Sequence, residues 1–377
     1  MQDPQSNSTI PLLLFHGLLS SPQEFGLISH TLRGHGLAYE AVTVPGYTLA
    51  SDHKSPDWRQ WRDAAIAVVE SRLEPRQPVV LGGLCMGGVL AAAVALELRC
   101  RVAGLVLISP SFTYDGWGLQ PIRHLRHLGY WTGLDRFFSV AEREPYGIKN
   151  PKMRKWVKRE LEQRIQSAVG PARVPLRALR EGERMTADVR ARLDQLDGPL
   201  MMIHAREDEI TRLDSVQRLF DALPIRDKEL AILENSYHMV TVDNDRHQVA
   251  SHLAGFVKRL GPAPLAEPAL DDGPAARALP RQASISTITP RCSSTEDEMN
   301  TLNELKQLIQ DKFDIDVATL KDDAPLADYG IDSLSLAELL FSVEDRFDID
   351  FADHRQDINT LTSLAALIDE LRALHPA

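Results

Sequence analysis

The chain has 377 residues, 44% of them hydrophobic and 25% charged, enough to bury more than one core. Its formal charge of −11 sits wholly at one end: Met299–Ala377 holds 17 acidic and 6 basic residues, while the rest holds 36 of each. That asymmetry excludes a nucleic-acid binder and predicts a compact acidic module that meets basic protein surfaces. No stretch approaches the roughly 20 apolar residues of a membrane span. The polar start Met1–Thr9 lacks a signal-peptide pattern, and three cysteines form no paired framework, so a reducing cytoplasm is expected.

In chain order, Leu12–Phe15 reads as a buried strand ending at His16-Gly17, and Ala41–Val44 as a second, stopped by Pro45-Gly46. Trp58–Leu73 has helical spacing. Pro78–Leu81 is a strand running into Gly82-Gly83, Met86–Leu98 an alanine-rich helix, and Val102–Ile108 a continuous apolar strand. Uniformly apolar strands alternating with helices predict a parallel sheet covered on both faces. Residues 113–190 break the rhythm; they are aromatic, then basic and helical without a convincing strand, and are expected to form a helical lid. Tyr114, Trp117, Tyr130, Trp131 and Phe137 suggest an apolar pocket roof. Pro199–Ile203, Glu229–Leu233 and a helix over Arg246–Leu260 resume the pattern.

Residues 261–298 hold six prolines and little apolar periodicity, which predicts a disordered linker. Flexible, its 38 residues would span about 35 Å r.m.s.. From 299 to 377 a second domain follows, with apolar helical faces at Leu302, Leu305, Leu308 and Ile309, at Leu334–Phe341 and at Leu364–Leu374.

Gly83-Leu84-Cys85-Met86-Gly87-Gly88 lies between a strand and a helix. A tight strand-to-helix bend leaves no room for side chains beside the central residue, hence the glycines, and it presents Cys85 at a helix N-terminus, where free amides favour a thiolate and a developing oxyanion. Cys is also among the most buried residue types, so simple packing is the alternative. With the flanking loops, residues 10–260 resemble the α/β-hydrolase superfamily, specifically its carboxylesterase, monoacylglycerol-lipase and thioesterase-like members, with Cys in place of the usual Ser. The resemblance implies a lidded parallel-sheet α/β fold and a nucleophile, acid, base order. It places the acid at Asp208, in the loop after the strand Met201–Ile203, and the base at His238, after Glu229–Leu233; Glu207 and Glu209 read as solvated loop charges. It maps the oxyanion hole to the backbone N–H groups of Leu18 and Met86. His16 reads as a residue that shapes the loop, and His247 and His252 as surface or packing residues. No metal site is expected.

Tyr329-Gly330-Ile331-Asp332-Ser333-Leu334-Ser335 precedes a strongly apolar helix. Asp332 or Ser333 could be a plain helix cap. The segment 301–374 as a whole resembles acyl carrier proteins, which implies an all-α four-helix domain with 4′-phosphopantetheine on Ser333, attached by a phosphopantetheinyl transferase. Glu338, Glu344 and Asp345 would offer an acidic face to other carrier or synthase proteins, and Lys152, Arg154, Lys155, Lys158 and Arg159 in the lid are either its complement or a solvated helix face.

A serine acyl-enzyme is an oxygen ester, downhill from a thioester and readily discharged to water. A cysteine acyl-enzyme is itself a thioester, nearly isoenergetic with a pantetheine thioester. The expected function is therefore transfer of an acyl or aminoacyl group between a phosphopantetheine thioester and Cys85, in natural-product or specialised lipid assembly. The alternatives are a thioesterase or carboxylesterase, and a non-catalytic hydrolase domain that scaffolds the carrier.

Overall fold

The six core strands form because short runs of β-branched and leucine side chains find cover on both sides. A computed structural model describes residues 10–49, 57–119, 126–163, 166–167, 169–261, 296–313, 315–331, 333–347, 349, 351 and 358–374. The first part of the chain runs β1 (Leu12–Phe15), α1 (Gly26–Gly34), β2 (Tyr39–Val42), α2 (Trp58–Ser71), β3 (Val79–Leu84), α3 (Met86–Leu98) and β4 (Val102–Ile108). An excursion follows: α4 (Arg126–Thr132), β5 (Ser139–Ala141), α5 (Pro151–Gln163), β6 (Gln166–Ser167), β7 (Gly170–Pro171), β8 (Arg173–Pro175) and α6 (Leu176–Ala191). Then β9 (Leu200–Ala205), α7 (Leu213–Ala222), β10 (Lys228–Leu233) and α8 (Arg246–Arg259) complete this body.

The sheet order is β10-β9-β4-β3-β1-β2, and every pairing in it is parallel. Helix α3 is buried almost all round, which its Val, Leu and Ala composition permits, because α2 and α6 cover it on the side away from the sheet. Trp58, Trp61, Ala65 and Val69 of α2 and Ala178, Met185 and Val189 of α6 complete that layer. The opposite face is closed by Leu27, Ile28 and Leu32 of α1 with Val249, Leu253 and Phe256 of α8. Helix α2 begins at Asp57, whose side chain accepts from the amides of Arg59 and Gln60.

The lid departs from the helical expectation. It contains four short strands in two antiparallel pairs, β5 with β8 and β6 with β7. At two or three residues each, they are too short to carry a period-2 signature. The pocket-roof expectation also fails for three aromatics: Trp117, Trp131 and Phe137 are 59%, 85% and 76% exposed and point outward. Tyr130 stacks edge-on with His127 and lies beside Glu183. Within the basic run, Arg154 donates to the carbonyls of Ile148 and Lys149 and Lys158 pairs with Glu144, so both serve the lid itself.

The C-terminal part of the chain contains α9 (Glu296–Phe313), α10 (Ser333–Phe347) and α11 (Leu361–Leu374) among its described residues. Leu305 and Ile309 of α9 are buried together with Leu364 and Ile368 of α11. Thr301 donates to Asp369 at 2.7 Å, tying the two helices polar group to polar group. The expected linker, residue 261 and the stretch 296–298 apart, falls outside the described residues, as do Cys292 and Asp332; α9 begins at Glu296, ahead of the boundary at 299.

The bend after β3 is the tightest point of the fold. A Cβ on Gly83 would lie 2.2 Å from the carbonyl carbon of Gly87, and one on Gly87 would lie 2.1 Å from the carbonyl oxygen of Phe15. Neither backbone neighbour can move without displacing a central strand. Gly87→Ala should therefore destabilise the domain by about 3 kcal/mol, the upper end of overpacking costs. Gly34→Ala, at the end of α1 where nothing lies within 4 Å of the added Cβ, should leave stability essentially unchanged. Thermal unfolding of the two variants side by side is the check, and equal melting temperatures would contradict the close approach.

Candidate active site

Cys85 sits between β3 and α3 with φ 58° and ψ −122°, a conformation that a non-glycine residue adopts only when its surroundings enforce it. The cost, about 1–3 kcal/mol, is borne by the packing of β3 and α3 on either side. The half-buried thiol lines a cleft of about 850 Å³, part of it open solvent, together with Leu18, Met86 and His238. Met86 is the first residue of α3, so its N–H has no acceptor within the helix. Leu18 follows β1 in the His16-Gly17 loop and borders the same cleft.

That loop is held by a chain of buried polar contacts. The ring of His16 donates from Nδ1 to the carbonyl of Gly17 at 2.8 Å and meets Thr48 Oγ1 through Nε2 at 2.7 Å. Burial lowers its pKa to about 4, so the ring is neutral and Nε2 accepts from the Thr48 hydroxyl. Tyr47 stacks on the imidazole and donates its hydroxyl to the His16 carbonyl. Glu24, 2% exposed, accepts from the amide of Gly17 at 2.7 Å. These contacts make His16 a shaper of the loop.

Asp208 and His238 come together as the chain order predicts. His238 Nδ1 lies 2.7 Å from Asp208 Oδ2, and both residues are buried. The other oxygen, Asp208 Oδ1, accepts from the amides of Ile210 and Thr211 at 2.8 and 2.9 Å. Burial alone would raise the pKa of Asp208, but the charge and hydrogen bond of His238 hold it below the usual carboxylate range. Burial alone would lower His238; the Asp208 carboxylate and then Cys85 hold it well above its ordinary value. Cys85 thus influences the imidazole without meeting hydrogen-bond geometry. In this conformation Sγ instead lies 3.2 Å from Ser111 Oγ, and His238 Nε2 has no hydrogen-bond partner among the described residues. Catalytic hydrogen bonds are commonly loose before substrate arrives.

Other residues were silent in the sequence. Glu209, read there as a solvated charge, is 3% exposed and accepts from the backbone amide of His238 at 3.1 Å. The correction has a steric cause: Gly116 and Gly118 bring the start of the lid directly over Glu209, and both amides bond near it, to the carbonyls of Ile210 and Glu209. Glu207 is exposed and pairs with Lys149, as a loop charge should. Asp243 accepts from the amides of Lys149, Asn150 and Tyr237, fastening the lid to the loop of His238. Cys100 lies in a single helical turn before β4, and His247 is exposed on α8.

Further along the chain, Ser333 is the first residue of α10. The turn before it carries Gly330 at φ +77°, with nothing within 4 Å of the place a Cβ would occupy, and Ile331 is buried. A hydroxyl residue at the start of a helix, with open space beside the turn before it, fits a phosphodiester.

Burial also sets a pH signature for this site. It raises the pKa of Glu209 from 4.5 to about 7. Between those values the unfolded chain gives up a proton that the folded chain keeps, so this group's contribution to stability falls as pH rises. Glu209→Gln removes that contribution. The melting temperature of the variant relative to wild type should climb from pH 4.5 to 7 and then level; a difference that stays flat across the window would refute the buried, raised carboxyl.

Residues 7–245 match the family described as serine aminopeptidase, S33, and residues 303–368 match that described as phosphopantetheine attachment site. The chain is 21% identical over 253 residues to a carboxylesterase of Bacillus subtilis (strain 168), covering 66% of this chain and 92% of that one. It is 23% identical over 277 residues to a thermostable monoacylglycerol lipase of Bacillus sp. (strain H-257), covering 68% and 93%. The crystal structure of a monoacylglycerol lipase from Paleococcus ferrophilus superposes with a TM-score of 0.56 at 17% identity, over 67% of this chain and 97% of that one, a likeness of fold. No helix among the described residues is long and apolar enough to cross a membrane. The chain belongs to the serine aminopeptidase S33 family of α/β-hydrolases, as an enzyme of the esterase and lipase type joined to a carrier domain with covalently bound 4′-phosphopantetheine.

Proposed function

We propose that residues 10–260 form an acyltransferase that moves an acyl or aminoacyl group between a phosphopantetheine thioester and Cys85, using Cys85, His238 and Asp208 as nucleophile, base and acid. The observation that carries this reading is a thiol, where serine is usual, at the elbow of a chain that brings its own carrier domain. The pantetheine arm, when bound at Ser333, supplies a thiol that holds acyl groups as thioesters.

His238, its Nδ1–H directed to Asp208, takes the proton of Cys85. Sγ then attacks the carbonyl carbon of the incoming thioester, and the oxyanion rests on the amides of Leu18 and Met86. Collapse breaks the donor's C–S bond, and the departing thiolate recovers the proton from His238. One thioester is consumed and one is formed, so the step runs in either direction with little driving force. A phosphopantetheinyl transferase installs the arm, and other carrier or synthase proteins of natural-product or specialised lipid assembly supply or accept the acyl group.

A second reading, a thioesterase that passes the acyl group from Cys85 to water, is favoured by the chain's similarity to a carboxylesterase and a lipase. A degenerate scaffold is disfavoured, because loss of function would leave no reason for a buried carboxylate and imidazole to stay paired beside the thiol.

Acylation by a radiolabelled acyl thioester separates the three. With the full-length holo-protein, label is expected on both Cys85 and Ser333, with passage to an added carrier at least about tenfold faster than release to water. Cys85→Ala should lose the label from both positions, because the arm is charged through Cys85, whereas Ser333→Ala should keep it on Cys85. Free acid as the main product would favour the thioesterase, and a Cys85 that never takes label would leave the scaffold.

A further inference from the structure

We propose that Ser111 tilts the acyl exchange toward discharge: its buried hydroxyl holds the free sulfur of Cys85 and is left without a partner once that sulfur is acylated. Acyl-Cys85 is then a short-lived donor rather than a resting state. The inference rests on the acyl-transfer reading above and adds a residue to it.

Ser111 Oγ lies 3.2 Å from Cys85 Sγ. The residue is wholly buried and does not border the cleft. Among the described residues, Sγ is the only hydrogen-bond partner of its hydroxyl. The segment that carries it is pinned at several points. The amide of Cys85 donates to the carbonyl of Ile108 at 2.9 Å, and that of Ser109 to the carbonyl of Ile203 at 2.8 Å. Ser109 takes φ 42°, a conformation that serine keeps only where its surroundings enforce it. Beyond Ser111, Arg190 donates to the carbonyl of Phe112 and the Thr211 hydroxyl to that of Thr113. The hydroxyl is thus presented to the sulfur from a backbone fixed on both sides.

What it does there follows from the lone pairs of sulfur. A thiolate has no proton to give and accepts a hydrogen bond well, so toward it Ser111 is the donor. A thioester sulfur, bonded to carbon on both sides, is a weak acceptor. Acylation of Cys85 therefore costs a charge-assisted hydrogen bond and leaves a buried hydroxyl unpaired. Because Ser111 does not border the cleft, no atom of an acyl group lying there makes good the loss.

In discharge the pantetheine thiol gives its proton to His238, and its sulfur attacks the carbonyl carbon of acyl-Cys85. The bond from that carbon to Sγ breaks, and Sγ leaves with the electron pair, onto which the Ser111 hydroxyl donates. The proton stays on His238, paired with the thiolate. One thioester replaces another, but the hydrogen bond regained at Ser111 favours the carrier side. Loading runs the same path backwards and gives that bond up.

The test is an equilibrium measurement on the full-length holo-protein. It is incubated with propionyl-N-acetylcysteamine and free N-acetylcysteamine at a fixed ratio, quenched in acid and digested with pepsin. Mass spectrometry then gives the ratio of acylated to free Cys85 peptide. In Ser111→Ala that ratio should rise about tenfold, as expected for the loss of one charge-assisted hydrogen bond. Ser111→Thr, which keeps the hydroxyl, should stay within about twofold of wild type. A ratio unchanged or lowered in Ser111→Ala, or raised equally in Ser111→Thr, would overturn the role of Ser111 and leave acyl transfer standing. If wild-type Cys85 takes no acyl group, acyl transfer falls. The hold of Ser111 on the sulfur is then judged by disulfide exchange of Cys85 with cystamine, since a mixed disulfide gives up the same hydrogen bond. Its ratio should rise by a similar factor in Ser111→Ala, and equal ratios refute the contact.

Discussion

One covalent bend, between the last residue of β3 and the first of α3, governs how the active centre is built. Cys85 is held in a backbone conformation foreign to L-residues because the chain must turn from sheet to helix within a single residue. That turn is possible only where Gly83 and Gly87 touch backbone to backbone and Gly87 nestles against the carbonyls of Phe15 and His16. The same contact brings the loop of Leu18 beside the start of α3. The amides of Leu18 and Met86, proposed here as oxyanion donors, are therefore fixed by the same close approach that presents the thiol. On that proposal, nucleophile and oxyanion donors are two results of one steric constraint.

The remaining half of the site is electrostatic. The Asp208–His238 pair is buried, and such a pair survives only when its leftover lone pairs are satisfied. Here the amides of Ile210 and Thr211 take up Asp208 Oδ1, and His204, which donates to the carbonyl of Thr211, packs alongside at 3.7 Å. Asp243 and Glu209 then bond the backbone on either side of His238 to the lid and the acid loop. The lid is thus part of what holds His238 as well as a cover.

Much of this was legible in the sequence because it rests on local pattern. Met86–Leu98 and Val102–Ile108 run between the same residues in the structure as in the sequence reading, since an alanine-rich helix and an uninterrupted apolar strand are each marked at both ends. The Gly-x-Cys-x-Gly spacing exposes the bend directly. What escaped was whatever depends on distant segments meeting. Glu24 and Glu209 look like ordinary loop charges until Gly17 and the Gly116–Gly118 strap are brought against them. Ser111 reaches the thiol only through the pairing of β3 with β4. Helices α1 and α7 passed unnoticed, the first because its sequence opens and closes on glycine and carries His and Thr within it.

A thiol at this position changes which contrasts the site has to make. A serine enzyme drives its reaction by making an oxygen ester that water removes, so it needs little discrimination among acceptors. A cysteine enzyme exchanging thioesters gains almost nothing from each step, and its direction is set by which acyl groups bind and which acceptors are near. Recognition of the acyl group then carries the selectivity that the chemistry does not provide.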